Sequence, residues 1–387
     1  MRISHKEQVR RSTARRRFLR HWGWLPALLV FDVFFVIWWR GRSPGEDAAK
    51  TGSPAEVPIM VAAPETLPAV PVVHPMQVGF PTAQSNLVLI QDASVFMPTA
   101  AGRVESAHYG SVRTASQGGR ILPSFHEGID IAPLTRDRRQ RAMDPVMAIA
   151  DGRVAHISAH SGNSNYGIYV VLEHEDPVGT IYSLYAHLSA VDKRVREGQR
   201  VRRGEVLGVL GNTPSSIIPV VRSHLHLEVG MIRTRRFSIW ANGQKLDNRH
   251  GNYNGWNLTG INPLALYTTT DPVREFSMRN YLSDHPVAFE LLINVNRPLD
   301  YFVRYPDLWK GEGEPSGALV LEVSEGGVIL RGHRLHSAEQ GSSSRSPQVL
   351  SVNRQVLGRN GLHLVVERSG QWSLGNNGKK WLEILVY

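Results

Sequence analysis

Ser223-His224-Leu225-His226-Leu227-Glu228-Val229 decides how this chain is read. Histidine alternates with leucine there, inside a run with strand character. In a strand, side chains at i and i+2 share a face. His224 and His226 therefore point one way, while Leu225 and Leu227 point into a core. A second stretch, Phe125-His126-Glu127-Gly128-Ile129-Asp130-Ile131-Ala132, adds an imidazole and a carboxylate four positions apart. Two neutral imidazoles plus one carboxylate form a ligand set that suits zinc and leaves its fourth position for water. The chain has no cysteine, so disulfides are excluded and any metal site must be built from histidine and carboxylate.

Neither fragment is specific alone. Between them lie Asp151-Gly-Arg-Val154, Tyr182-Ser-Leu-Tyr-Ala-His187-Leu-Ser189 and the glycine-rich stretch from Val195 to Gly211; Gly102-Arg-Val-Glu-Ser-Ala-His-Tyr-Gly110 precedes them and Asn262-Pro263-Leu264 follows. This ordered set resembles the lysostaphin and LytM type of zinc endopeptidases, which cut peptidoglycan cross-bridges. The resemblance runs from about Gly102 to Tyr267. It implies His126, Asp130 and His226 as metal ligands, Zn2+ as the cofactor, and His187 with His224 as the catalytic pair. The expected chemistry is hydrolysis by metal-activated water, with one imidazole taking the proton and the other hydrogen-bonding the oxyanion. We assign the base to His224 and the stabiliser to His187, with exchange of the two roles left open.

Other residues carry weaker expectations. Glu127 adjoins a ligand but faces away if its segment is extended. His174 reads as structural. His108, Asn163 and Tyr185 are candidates for lining the cleft, whereas His250, His333 and His336 read as surface residues. Three insertions depart from the family pattern: Leu134 to Ala142, which is strongly basic, Pro214 to Arg222, and Ser238 to Thr259. All three read as loops, where specificity normally resides. The basic loop offers charge for the carboxylates of stem peptides, against the plainer reading of a solvated surface.

Outward from this region, short Val- and Ile-rich runs divided by glycine mark residues 84–267 as a mainly antiparallel β peptidase domain. Residues 268–387 read as a β-rich accessory domain, with strands at Ala318–Val323, Gly327–Arg331, Leu362–Val366 and Trp381–Val386. A glycan or an envelope protein is the partner expected for it. Residues 41–83, rich in proline and alanine, read as a linker. Trp22 to Trp39 is apolar except for Asp32 and follows an arginine-rich segment, residues 1–21. Eighteen helical residues span about 27 Å, enough for a short membrane crossing. Residues 22–40 are therefore expected to anchor the chain in the inner membrane by a single pass, with the body in the periplasm or another extracytoplasmic space. A cleaved or twin-arginine leader is the alternative.

The formal charge of +10 does not argue for nucleic acid. Residues 1–40 hold nine Arg or Lys against Glu7 and Asp32, which leaves the remaining 347 residues with only +3. The function expected is that of a membrane-anchored zinc metalloendopeptidase acting on peptidoglycan. The alternative is a non-catalytic scaffold of the same fold that activates another cell-wall hydrolase.

Overall fold

The computed structural model describes residues 73–387, apart from 89–91, 93, 101, 118–119, 269–273 and 336–346. These residues fall within one compact unit, Val70–Tyr387. The expected membrane anchor at 22–40, the basic segment before it and residues 41–72 lie outside the described residues, as does His336. Among the described residues no helix is long and apolar enough to cross a membrane.

The fold is mainly antiparallel β, as the glycine-punctuated runs imply. Its centre is a nine-stranded sheet in which Leu258–Ile261, Leu225–Ile232, Gly179–Val191, Ile168–Asp176, Gly152–Ser158 and Arg200–Val201 lie side by side. Val206–Leu210 bridges Pro145–Met147 and the long strand Gly179–Val191. The short strand Ile129–Ile131 pairs with the start of Leu225–Ile232. Alternation assigns the two faces. Leu225, Leu227, Val229 and Met231 are fully buried in the main core. The opposite face carries Tyr169, Val171, Tyr182, Leu184 and Ala186 as a second apolar cluster, beside which His226 and Glu228 are set.

A smaller antiparallel sheet follows, in the order Ile329–Arg334, Gly317–Val323, Phe289–Val295, Gln348–Val352. The chain ends in a hairpin, Val365–Arg368 with Gln371–Leu374, and the helix Asn376–Val386. One apolar cluster runs from Met76 and Val78 through the nine-stranded sheet to Leu291, Leu321 and Trp381. Polar contacts cross at the same level: Tyr305 Oη donates to the Thr180 carbonyl, and Arg304 Nη2 donates to those of Ile232 and Arg233.

Three expectations need correction. Trp381–Val386 was expected as a strand and is helical, because Trp381, Ile384 and Leu385 bury one face at i, i+3 and i+4. The end of the expected linker is built into the fold: Met76–Val78 pairs with Arg274–Phe276, and Phe80 stacks on Tyr267 at 5.3 Å. The third insertion is more than a loop, since it supplies all but the first residue of the helix Phe237–Gly243 and packs Trp240 into an apolar cluster with Phe237 and Ile384.

Candidate metal centre

Strand register brings two of the expected ligands face to face. Asp130 is the cross-strand partner of His226, so their side chains leave neighbouring backbones on the same side. His126 reaches the same point from a bend four residues earlier. The crossing is tight: a Cβ on Gly128 would meet the Leu227 carbonyl oxygen at 2.2 Å, so only glycine fits.

The result is a triangle of ligand atoms. His126 Nε2, His226 Nδ1 and Asp130 Oδ1 are each 3.0 Å from the other two. All three residues are buried, and among the described residues they form the group that could hold a metal ion. The far nitrogens fix the tautomers. His126 Nδ1 lies 2.9 Å from the His108 carbonyl oxygen, and His226 Nε2 lies 2.9 Å from Glu228 Oε1. Both partners only accept, so those nitrogens carry the hydrogens and the neutral rings turn lone pairs toward Asp130. Three acceptors at this separation repel unless a cation or a proton lies among them. Tetrahedral zinc with bonds of about 2.0 Å sets its ligand atoms about 3.3 Å apart, so the group fits such an ion with a few tenths of an ångström of expansion.

Proton affinities agree with that picture. Burial pushes the His226 imidazolium down, but the hydrogen bonds and charges of Asp130 and Glu228 outweigh it and pull it up to about 9. Burial pushes the Asp130 carboxyl up, and the charges of His126 and His224 with the bonds from His126 and His226 outweigh that, leaving it well below the usual carboxylate range.

His224 and His187 stand beside the triangle. His224 Nδ1 is 2.7 Å from the Arg222 carbonyl oxygen, and its Nε2 lies 3.6 Å from Asp130 Oδ1. The His187 ring packs edge-on against His224 at 4.7 Å and lies 5.7 Å from His226. By strict alternation His187 would face away from the site, since it follows Ala186, the partner of His226. A bulge re-aims it. Ala186 and His187 together oppose Tyr169, and His187 takes the left-handed φ of 63°. Its backbone N–H donates to the Tyr166 carbonyl, and its Nδ1 sits 2.7 Å from the Thr213 carbonyl oxygen. Burial, followed by the charges of His224 and His226, holds the His187 imidazolium well below its ordinary range.

Glu228 was quoted above only as part of the strand, and the structure gives it a larger part. Fully buried, it accepts from Tyr166 Oη at 2.7 Å and Tyr182 Oη at 3.1 Å as well as from His226. The sequence signal was present, because Glu228 is two residues after His226 and shares its face. The two tyrosines come from distant segments and gave no signal.

The remaining candidates sort differently. Tyr185 does not line the site: it is buried on the opposite face and accepts from the Ile149 N–H and Ser183 Oγ. His108 contributes its carbonyl behind His126 while its ring packs on Phe96. Asn163 accepts from Arg249 of the third insertion. Glu127 is exposed. His174 is buried and bonded to the Asp151 carbonyl and Ser183 Oγ. His250 is not a surface residue: it is 7 % exposed and meets Tyr169 Oη at 2.6 Å. A cavity of about 290 Å³, lined in part by Glu173, Tyr253 and Arg304, also has Tyr182 in its wall, whose hydroxyl donates to Glu228.

Comparison with known proteins agrees with the recognition of the domain. Residues 124–247 match the model of Peptidase family M23. An uncharacterized metalloprotease of Haemophilus influenzae is 36 % identical over 110 residues, which is 28 % of this chain and 19 % of that one. The chain thus spans about a fifth of the length of this curated relative. Among solved structures, a zinc containing peptidase from Vibrio cholerae is 26 % identical over 35 % of this chain and 36 % of its own, with a TM-score of 0.22. The catalytic domain of lysostaphin from Staphylococcus simulans is 20 % identical over 42 % of this chain and 90 % of its own, with a TM-score of 0.27.

Proposed function

We propose that the M23-like domain of this chain is a zinc metalloendopeptidase that hydrolyses peptide cross-links of peptidoglycan. The observation that carries this reading is the triangle of His126, Asp130 and His226 atoms, whose outer nitrogens are already committed to acceptors. These three residues would hold the ion. When bound, it would polarise the scissile carbonyl and lower the pKa of a water at its open position.

The catalytic pair divides the proton work. Nδ1 of both His187 and His224 faces a backbone carbonyl, so Nε2 is the working nitrogen of each ring. A neutral ring accepts a proton there, and a protonated ring donates to an oxyanion. His187, which burial keeps neutral, suits the accepting role. His224, with Asp130 beside its Nε2, suits the donating one. This reverses the order read from sequence. Peptidoglycan stem peptides are the substrate class that the family resemblance supports. In the same reading residues 22–40, with their basic flank, anchor the chain in the inner membrane, and the domain works outside the cytoplasm.

The test is to incubate the purified zinc-loaded chain with isolated sacculi and weigh the released peptides by mass spectrometry. Loss of one cross-link type, abolished in His226→Ala, is expected. Unchanged sacculi at full zinc occupancy would overturn the hydrolase and favour a scaffold.

A further inference from the structure

The turn that leads into His224 lies between strands, and Val220–Arg222 forms a single 3-10 turn in it. Within the turn the Val220 carbonyl accepts from the Ser223 N–H and Oγ, and the carbonyls after it find no partner there. A side chain from the first insertion adds the missing donors. Arg136 donates from Nη1 to the Val220 carbonyl at 3.1 Å and from Nη2 to those of Val221 at 3.1 Å and Ser223 at 3.4 Å. The Arg222 carbonyl, the other one in this stretch, faces His224 Nδ1 at 2.7 Å. Besides the Ser223 bonds to the Val220 carbonyl, the four carbonyls of 220–223 are thus held by one guanidinium and one catalytic-pair imidazole.

Arg136 is itself firmly placed. Its hairpin closes through the Arg136–Ala142 bridge, and Nη1 also holds the Gln140 carbonyl at 2.8 Å. The base of the hairpin is tied to buried Asp144, which accepts from the N–H groups of Leu134 and Thr135 and from Thr135 Oγ1. The first and second insertions, separate in sequence, are therefore one assembly beside the metal group.

We propose that Arg136 is a positioning residue for His224. It fixes the 220–223 turn so that the Arg222 carbonyl holds the hydrogen of Nδ1, in the neutral ring and in the protonated one alike, and aims Nε2 at the metal-ligand group. The assignment rests on the peptidase reading for its consequence, though not for its contacts. An arginine is required because its planar fork spreads fixed donors over several acceptors, whereas a lysine ammonium is a single point. The basic character of this loop thus has two parts. Arg138 and Arg139 are exposed, while the Arg136 donors are spent on the protein's own backbone.

The experiment compares Arg136→Ala, Arg136→Lys and the double variant Arg138→Ala/Arg139→Ala in the zinc-loaded 387-residue chain. Arg136→Ala should lower kcat on a cross-linked peptide about ten- to a hundredfold, the scale of a misplaced reacting group, with KM within about twofold and zinc content unchanged. Arg136→Lys should lie between it and the parent, and the double variant should keep the parental kcat. Long-range nitrogen–proton NMR of the imidazoles gives a readout independent of turnover: the Nδ1–H tautomer of His224 in the parent, a tautomer mixture in Arg136→Ala. A variant that raises KM alone and keeps the tautomer would overturn the proposal and make Arg136 a substrate contact. Should the parent have no peptidase activity at all, the NMR comparison still decides the positioning role. A failure of Arg136→Ala to fold leaves Arg136→Lys to decide it, where a parental tautomer and parental kcat count against the proposal.

Discussion

Two groups of histidines lie against the nine-stranded sheet, and only one is arranged for a metal. In the first, His126 and His226 turn lone pairs toward Asp130 because their other nitrogens already face a carbonyl and a carboxylate. In the second, His156 and His250 lie 6.2 Å apart between Tyr169 and Tyr253, with His250 and Tyr253 supplied by the third insertion. There His250 Nδ1 meets a tyrosine hydroxyl, and the carboxylate near His156 is Glu197, 3.4 Å away and largely exposed. Each group sets a pair of imidazoles together, and His187 and His224 stand beside the first pair. What differs is a buried carboxylate at the focus and acceptors behind the rings, and together these give the first group the geometry of a ligand set.

The largest effect should come from removing one ring of each group. His226→Ala should lose bound zinc and all measurable turnover, because two remaining ligands do not close a zinc site. His250→Ala should keep stoichiometric zinc and most of its activity. Metal analysis of the two purified variants by mass spectrometry decides this, and equal zinc loss in both would break the distinction.

A smaller effect sharpens the role of the acceptors behind the rings. Glu228→Gln keeps the shape but replaces one accepting oxygen with a donor where Tyr166, Tyr182 and His226 all now donate. Loss of an outer partner of a metal-bound histidine typically costs about 10- to 100-fold in metal affinity. Competition with a chelator should show a decrease of that size, with the fold unchanged by circular dichroism. Undiminished affinity would mean that the ring is held by packing alone.

Part of this centre was legible as short-range regularity, while the metal and catalytic roles of its residues came from the family resemblance. The alternation His224-Leu-His226 put both rings on one face by strand geometry, and the Leu225 and Leu227 side chains do enter the core. The β-rich class followed from the glycine-divided runs. What escaped depends on contacts between distant segments or on exceptions to alternation. The bulge at Ala186–His187 reverses the direction that period 2 gives His187, and no local residue announces it. His250 looked like a surface residue because its partners, Tyr169 and His156, come from strands about 80 and 90 positions earlier. Trp381–Val386 failed for another reason, since a short apolar run satisfies helix and strand patterns alike and only packing chooses between them.

The smallest expected effect concerns pH and belongs to the packed group. Burial first, and then the His250 charge, lowers the His156 pKa, with Glu197 opposing; burial likewise lowers that of His250. Each ring therefore binds fewer protons folded than unfolded once pH drops through the ordinary value of about 6.5. Stability from this source is whole above that value and declines as pH falls toward the folded-state values, because the unfolded chain takes up the extra protons. His156→Phe retains an aromatic ring against Tyr169 and Tyr253 but cannot titrate. Its urea-unfolding free energy should fall less steeply than the parent's between about pH 7 and pH 5, by at most one proton per molecule in slope. Comparing slopes cancels any metal released by acid from the other group, which both proteins share. An identical slope would show that His156 is as easily protonated folded as unfolded, and that the tyrosine-rich cluster does not desolvate it.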